Sequence, residues 1–211
     1  KEVGSQLKAL PSLSLLAAAF ITYLSGFPED TRVEKLSIWK KLLQIETFDF
    51  SSFMTLESQL LIYKNEGLPS DQLSQENAIV ILESVQYPLI IDPSQQATQW
   101  LKNHMSSKNV EVTNASNPKF ASHLELGIRF GKVLIVEEVD QIEPILFPLL
   151  RKELIVQGPR KSVLIGDKIV DFNDEFQMYL VTRNPKVQLS PDSASLVCQV
   201  NFTVTRSGLE G

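Results

Sequence analysis

The sequence predicts an α/β fold: a three-layer core around a mostly parallel five-stranded sheet, with a hairpin insert and an N-terminal helical lead-in. Three observations carry this reading. Wholly apolar runs, Pro88-Leu-Ile-Ile91 and Val133-Leu-Ile-Val136, have the character of strands covered on both faces of a sheet. From residue 87 onward such runs alternate with segments whose apolar residues recur at helical spacing, the βαβ pattern. Finally, 211 residues with 43% hydrophobic and 21% charged side chains are globular proportions, sufficient for one domain burying roughly 70% of its unfolded surface.

The lead-in, residues 1–86, reads as helices. Residues 10–24 (LPSLSLLAAAFITYL) resemble the apolar core of a secretory signal, but Pro11, Ser12, Ser14 and Thr22 make the stretch too polar and too short to cross a bilayer. Its apolar residues fall at 13, 16, 17, 20, 21 and 24, one face of a buried amphipathic helix. Gly26-Phe27-Pro28 ends it. Val33, Leu36, Trp39 and Leu43 give the inner face of a second helix, with Lys40 and Lys41 outside. Phe53, Leu56, Leu60 and Tyr63 mark a third, stopped by Gly67-Leu68-Pro69, and Ser74 caps a fourth through Ala78, Ile81, Leu82 and Val85. Heptads are absent apart from residues 1–10, which fit the end of a coiled coil.

The core, residues 87–206, then alternates. A strand at 88–91 leads through Asp92-Pro93 to a helix in which Ala97, Leu101, His104 and Met105 follow at helical intervals. A strand at 110–113 precedes a helix opened by Asn117-Pro118, faced by Phe120, Leu124 and Ile128 and stopped by Gly131. The strand at 133–136 ends in Glu137-Glu138, and Glu143-Pro144 starts a helix through Ile145, Leu146, Leu149 and Leu150. Residues 163–172 form a hairpin with Gly166-Asp167 at its tip, and strands at 176–181 and 198–204 close the sheet. Trp39 and Trp100 read as core or half-core aromatics, and His123 as a surface or satisfied polar residue.

Composition excludes several functions. With 20 basic and 25 acidic side chains the net charge is −5, against a general nucleic-acid binder, which needs a basic face. A single cysteine, Cys198, forms no internal disulfide and fits a reducing compartment; with only His104 and His123 beside it, no metal site of usual spacing can be built. The sequons at Asn114 and Asn201 are then chance matches. The chain starts with Lys, as expected of a piece cut from a longer protein.

In this fold, ligands bind beyond the carboxyl ends of the strands. A phosphate-binding G-x-x-x-x-G-K-[ST] loop belongs after Ile91, its glycines wrapping phosphates with backbone N–H groups, its lysine neutralising charge and its hydroxyl holding magnesium. The sequence there is Asp92-Pro-Ser-Gln-Gln-Ala97-Thr98-Gln99. Asp92 and Ala97 replace the glycines, Thr98 the lysine and Gln99 the hydroxyl. A carboxylate ~5 Å from a phosphate charge, at an effective dielectric of about 20, costs roughly 3 kcal/mol. The partner feature, four apolar residues followed by two acids, survives as 133–136 with Glu137 and Glu138, which in a working site would organise magnesium and polarise water. Asn184, in Thr182-Arg-Asn-Pro185, fits a polar sensor residue after the next strand and equally an Asn-Pro turn. The site residues are therefore a degenerate nucleotide site, with no catalytic or metal-binding set. The alternative is an NTPase with an unorthodox loop, Glu137 and Glu138 supplying its carboxylates.

Many short stretches in order resemble the fifth AAA+ module of dynein heavy chains: Gly67-Leu-Pro-Ser-Asp71, Glu76-Asn77-Ala78, Ile91-Asp-Pro-Ser94, Gln96-Ala97-Thr98, Trp100-Leu-Lys102, Pro148-Leu-Leu150, Gln157-Gly158, Ile165-Gly-Asp167, Thr182-Arg-Asn-Pro185, Val200-Asn-Phe202 and Thr205-Arg-Ser207. The opening Gln6-Leu-Lys-Ala-Leu-Pro11 is similar to the family's segment joining the returning stalk helix to that module. Gln157-Gly-Pro-Arg160, Ile165-Gly-Asp-Lys-Ile169 and Ser207-Gly208-Leu209 resemble the branch that drives retrograde intraflagellar transport in cilia. The resemblance implies that residues 1–211 are an AAA+ large subdomain, placed in a six-module ring whose ATP and magnesium act mainly at the first module, this module binding no cofactor of its own. It implies as partners the neighbouring modules, stalk, buttress and linker of the same heavy chain, microtubules through the distal stalk, and light and intermediate chains through the tail, with location in cytoplasm, cytoskeleton and cilium. Residues 191–200, where family members can carry an arginine finger for the preceding site, contain no arginine; Arg183 and Arg206 flank them.

Overall fold

The computed structural model describes residues 2–203, with side chains from residue 10 onward. Helix α1 (Glu2–Ala19) runs through Pro11 into a π-helical turn, Phe20–Leu24. Helices α2 (Glu29–Leu42), α3 (Phe50–Met54), α4 (Glu57–Asn65) and α5 (Gln72–Glu83) complete the lead-in. The core follows as β1 (Pro88–Ile91), α6 (Gln96–His104), β2 (Val110–Asn114), α7 (Phe120–Phe130) and β3 (Val133–Glu137). After a 3₁₀ turn come α8 (Phe147–Leu150), β4 (Leu154–Gln157), β5 (Arg160–Ile165), β6 (Lys168–Asp171), β7 (Gln177–Thr182), α9 (Pro191–Ala194) and β8 (Cys198–Asn201).

Five strands form one sheet in the order β2-β3-β7-β1-β8, every pair parallel. The three layers follow from strand alternation. Leu89, Leu134 and Leu180 point into a core with α7, α8 and the β4-β5-β6 meander. Ile90, Ile135 and Val181 point the other way, into a core shared with α1, α5 and α6. The lead-in is thus a covering layer of the sheet. Within the first amphipathic helix, Leu16, Ala17, Phe20 and Leu24 are buried as the spacing predicts, and Phe20 stacks on Phe50 at 4.0 Å.

Several sequence expectations are corrected. Val33 is exposed; α2 instead turns Arg32 inward, because polar partners await it there. The third helix is two helices, broken after Met54, and leaves Leu56 exposed. Asp71, not Ser74, caps α5, its carboxylate accepting from the Ser74 N–H at 2.9 Å. Asn117 accepts from the Lys119 N–H in a turn that precedes α7. The hairpin with its Gly166-Asp167 tip forms as expected, but β4 extends it to three antiparallel strands. Gly131 does stop α7, in a left-handed conformation. Trp100 is fully buried and Trp39 half-buried, as read from the sequence. His123 Nδ1 lies 3.0 Å from Glu111 Oε1, a contact by distance that lacks hydrogen-bond geometry. The stretches at 204–211, including Arg206, fall outside the described residues.

Candidate functional site: a self-closed phosphate loop

β1 delivers the chain to the loop, where the Asp92 N–H donates to the Thr182 carbonyl of β7 at 2.9 Å and fixes the first loop residue against the sheet. The loop turns on Gln95, whose left-handed backbone (φ 62°) also serves as the N-cap of α6. Gln95 lacks a capping side-chain bond. That role falls to Asp92: its Oδ2 accepts from both the N–H and the hydroxyl of Thr98, each at 2.8 Å, and its Oδ1 accepts from the Ser94 hydroxyl at 3.1 Å. Asp92 is 0% exposed. A helix N-terminus offers free N–H groups and partial positive charge, the physical basis of phosphate binding. Here an internal carboxylate has taken that place. In the sequence the Asp92 charge opposes a phosphate; in the fold it takes the place of one.

The other site positions are equally committed. Ala97, at the second glycine position, is buried in the core. Gln99 is exposed and donates from Nε2 to Asn103 Oδ1 at 3.1 Å, along the outside of α6. Glu137 sits at the end of β3, half-buried, 2.8 Å from Lys102 Nζ. Lys102 stands one helical turn beyond Thr98, on the same face, a spacing from which it could have been found. Glu138 adopts φ 59° and pairs with Arg183 at 2.5 Å. Thr182 donates its hydroxyl to Asp140 Oδ1 at 2.6 Å. Asn184 takes its turn role: its Oδ1 accepts from the Lys186 N–H at 3.0 Å. The structure therefore brings together Asp92 with Thr98, and Glu137 and Glu138 with two cations, and leaves Asn184 and Gln99 facing elsewhere.

Gln95, Thr98, Glu137, Glu138, Val181 and Arg183 line a cavity of about 20 Å³. That is room for about one water, whereas ligand pockets run to several hundred Å³. Adenosine triphosphate with magnesium does not fit these residues: the helix N-terminus is occupied from within, no lysine stands at the loop, and each carboxylate at the strand end has its own cation. Among the described residues no group of His, Cys, Asp and Glu could hold a metal ion, and no helix is long and apolar enough to cross a membrane.

A parallel five-stranded sheet in this order, with a phosphate-type loop after β1 and two acids after β3, is the AAA+ class of P-loop core. Residues 61–211 match the ATP-binding dynein motor region, and the chain belongs to that family. Over its whole length it is 54% identical to cytoplasmic dynein 2 heavy chain 1 of Homo sapiens, and over 99% of its length 55% identical to that of Chlamydomonas reinhardtii. Identity to the cytoplasmic dynein heavy chain of Drosophila melanogaster is 37% over 98% of the chain. The chain spans about 5% of the length of each of these relatives.

Proposed function

We propose that this chain is a non-hydrolysing relay module of a dynein motor heavy chain, the fifth AAA+ large subdomain of its ring. The Asp92 carboxylate on the N-terminus of α6 carries this reading, because a loop closed by its own acid has no place for a phosphate. The module is then not an enzyme and binds no cofactor, while the parent chain is an ATPase fuelled by ATP and magnesium in other modules. Its partners are the neighbouring AAA+ modules, stalk, buttress and linker of the same heavy chain, with microtubules reached through the distal stalk and light and intermediate chains through the tail. The higher identity to dynein 2 than to the Drosophila cytoplasmic chain supports a retrograde intraflagellar-transport motor, located in cytoplasm, cytoskeleton and cilium.

Mechanically, the module works as a rigid body. A close-packed three-layer core has few soft modes, so a rotation imposed on one interface passes to the others as small hinge or shear steps. The alternative, an NTPase using Glu137 and Glu138, needs both acids free, and Lys102 and Arg183 hold them. Equilibrium dialysis of labelled ATP with magnesium against the chain tests the reading. No binding tighter than millimolar is expected; micromolar affinity or any turnover would overturn it.

A further inference from the structure

The most heavily partnered side chain among the described residues lies outside the loop. Arg32, on α2, is 2% exposed. Its Nε donates to the Phe27 carbonyl at 2.8 Å, and its Nη2 donates to the Ser25 carbonyl at 2.6 Å and to Asn77 Oδ1 at 2.7 Å. Its Nη1 lies 3.4 Å from Glu76 Oε2. Burial pulls the arginine below its ordinary pKa and the glutamate above its own. Such a pair is a poor stabiliser, since apolar residues of similar volume do as well or better. What the pair does supply is direction: a planar fork fixes the bearing of every group it touches.

Those groups belong to two distant parts of the chain. Ser25 and Phe27 form the corner between the first helix and α2, through which the chain reaches the core. Asn77, 0% exposed, passes the connection on, donating from Nδ2 to the Asn201 carbonyl at 2.7 Å. Asn201 ends β8, an edge strand of the sheet. The same corner also takes the open edge of β8 directly: the Asn201 N–H donates to the Ser25 carbonyl at 3.1 Å, and the Ser25 hydroxyl donates to the Gln199 carbonyl at 2.7 Å.

We propose that Arg32 is a positioning residue: its buried junction locks the corner at Ser25–Phe27 to the strand end at Asn201, so that the first helix and the edge strand move as one piece. This rests on the relay reading for its purpose, because it makes the lead-in and the sheet edge mechanically continuous. It does not rest on the loop.

The test is hydrogen exchange and microtubule binding in the full-length heavy chain. The double variant Arg32→Met/Glu76→Leu keeps the site buried and apolar but removes the fork, leaving the Phe27 carbonyl and Asn77 Oδ1 without their donors and the Ser25 carbonyl with the Asn201 N–H alone. Amides of residues 198–203 are expected to exchange at least tenfold faster than in the wild type, with those of β7 unchanged. Arg32→Lys, whose single ammonium cannot serve four acceptors, should fall between. The switch in microtubule affinity between nucleotide states should shrink severalfold in the double variant. Unchanged exchange at 198–203 would overturn the lock, and so would equal acceleration across β7, which would reduce Arg32 to general stability. Faster exchange at 198–203 with a full affinity switch would leave the lock standing and sink the relay reading.

Discussion

Replacing Asp92 by alanine removes the group that closes the loop, and the structure gives the size of the effect. Three hydrogen bonds disappear, two of them at 2.8 Å to Thr98. Bonds to a charged group contribute about 1.5–3 kcal/mol each, and loss of a helix cap alone costs about 1 kcal/mol. Burying a carboxylate also carries a desolvation cost, which its removal would recover. The donors decide the sign: the Thr98 N–H belongs to the first turn of α6, and with Asp92 gone it stays buried and unpaired. Taking the lower end for the two Thr98 bonds, with the Ser94 bond set against the recovered desolvation, gives a net loss of about 3 kcal/mol. At ~2–4 °C per kcal/mol for a domain of this size, the melting temperature should drop by about 10 °C. Asp92→Asn keeps one acceptor for Thr98 and should lose about 1–2 kcal/mol. Urea unfolding followed by circular dichroism reads both variants. An alanine variant within about 0.5 kcal/mol of the wild type, the range of an ordinary surface change, would refute the idea that this carboxylate holds the turn.

Restoring only the loop lysine, Thr98→Lys, should leave Mg·ATP binding weaker than millimolar, because Asp92 still fills the helix N-terminus; nanomolar affinity in calorimetry would contradict this. Gly131 and Gly158 both have left-handed backbones, φ 64° and 62°, but a Cβ at Gly131 would lie 2.9 Å from Asn173 and Glu175 while one at Gly158 meets nothing within 4 Å. Gly158→Ala should therefore cost only the backbone strain, about 1–2 kcal/mol, and Gly131→Ala about 1–3 kcal/mol more; equal losses in urea titration would remove the steric argument. Burial pushes Tyr87 and Tyr179 each up to about 12 from an ordinary 10. Their contribution is whole below pH 10 and is lost as pH climbs through 12, about 2–3 kcal/mol for each residue. In a Tyr23→Phe/Tyr63→Phe background, which leaves Tyr87 and Tyr179 as the only tyrosines of the sequence, tyrosinate absorbance should rise together with the loss of helical signal; a separate rise near pH 10, before unfolding, would show those rings to be solvated.

The sequence made the sheet legible because a strand buried on both faces has no polar residue to disguise it: 88–91 and 133–136 stand out as wholly apolar runs. The loss of the loop lysine was equally plain, since Thr98 carries no charge in any conformation. What one dimension conceals is direction. Asp92 was visible as a charge in the loop, but only the backbone turn at Gln95 decides that it points inward to Thr98. The same blindness reversed α2. Apolar spacing favoured Val33 as the inner residue, whereas Arg32 goes inside because Ser25, Asn77 and Glu76, from elsewhere in the chain, supply acceptors. Periodicity counts apolar residues and cannot register a long-range polar junction. Strand β4 escaped for a different reason: it is a mostly exposed edge, so its short apolar stretch lacks the buried pattern of the core strands.

Hydrogen exchange at the Thr98 amide in the full-length heavy chain, with and without saturating Mg·ATP, tests the closed loop most directly. With Asp92 already bonded to that N–H, protection should be the same in both conditions while the nucleotide-binding modules respond. Slower exchange across residues 93–99 when ATP is added would mean that a phosphate displaces the carboxylate, and the account would fail.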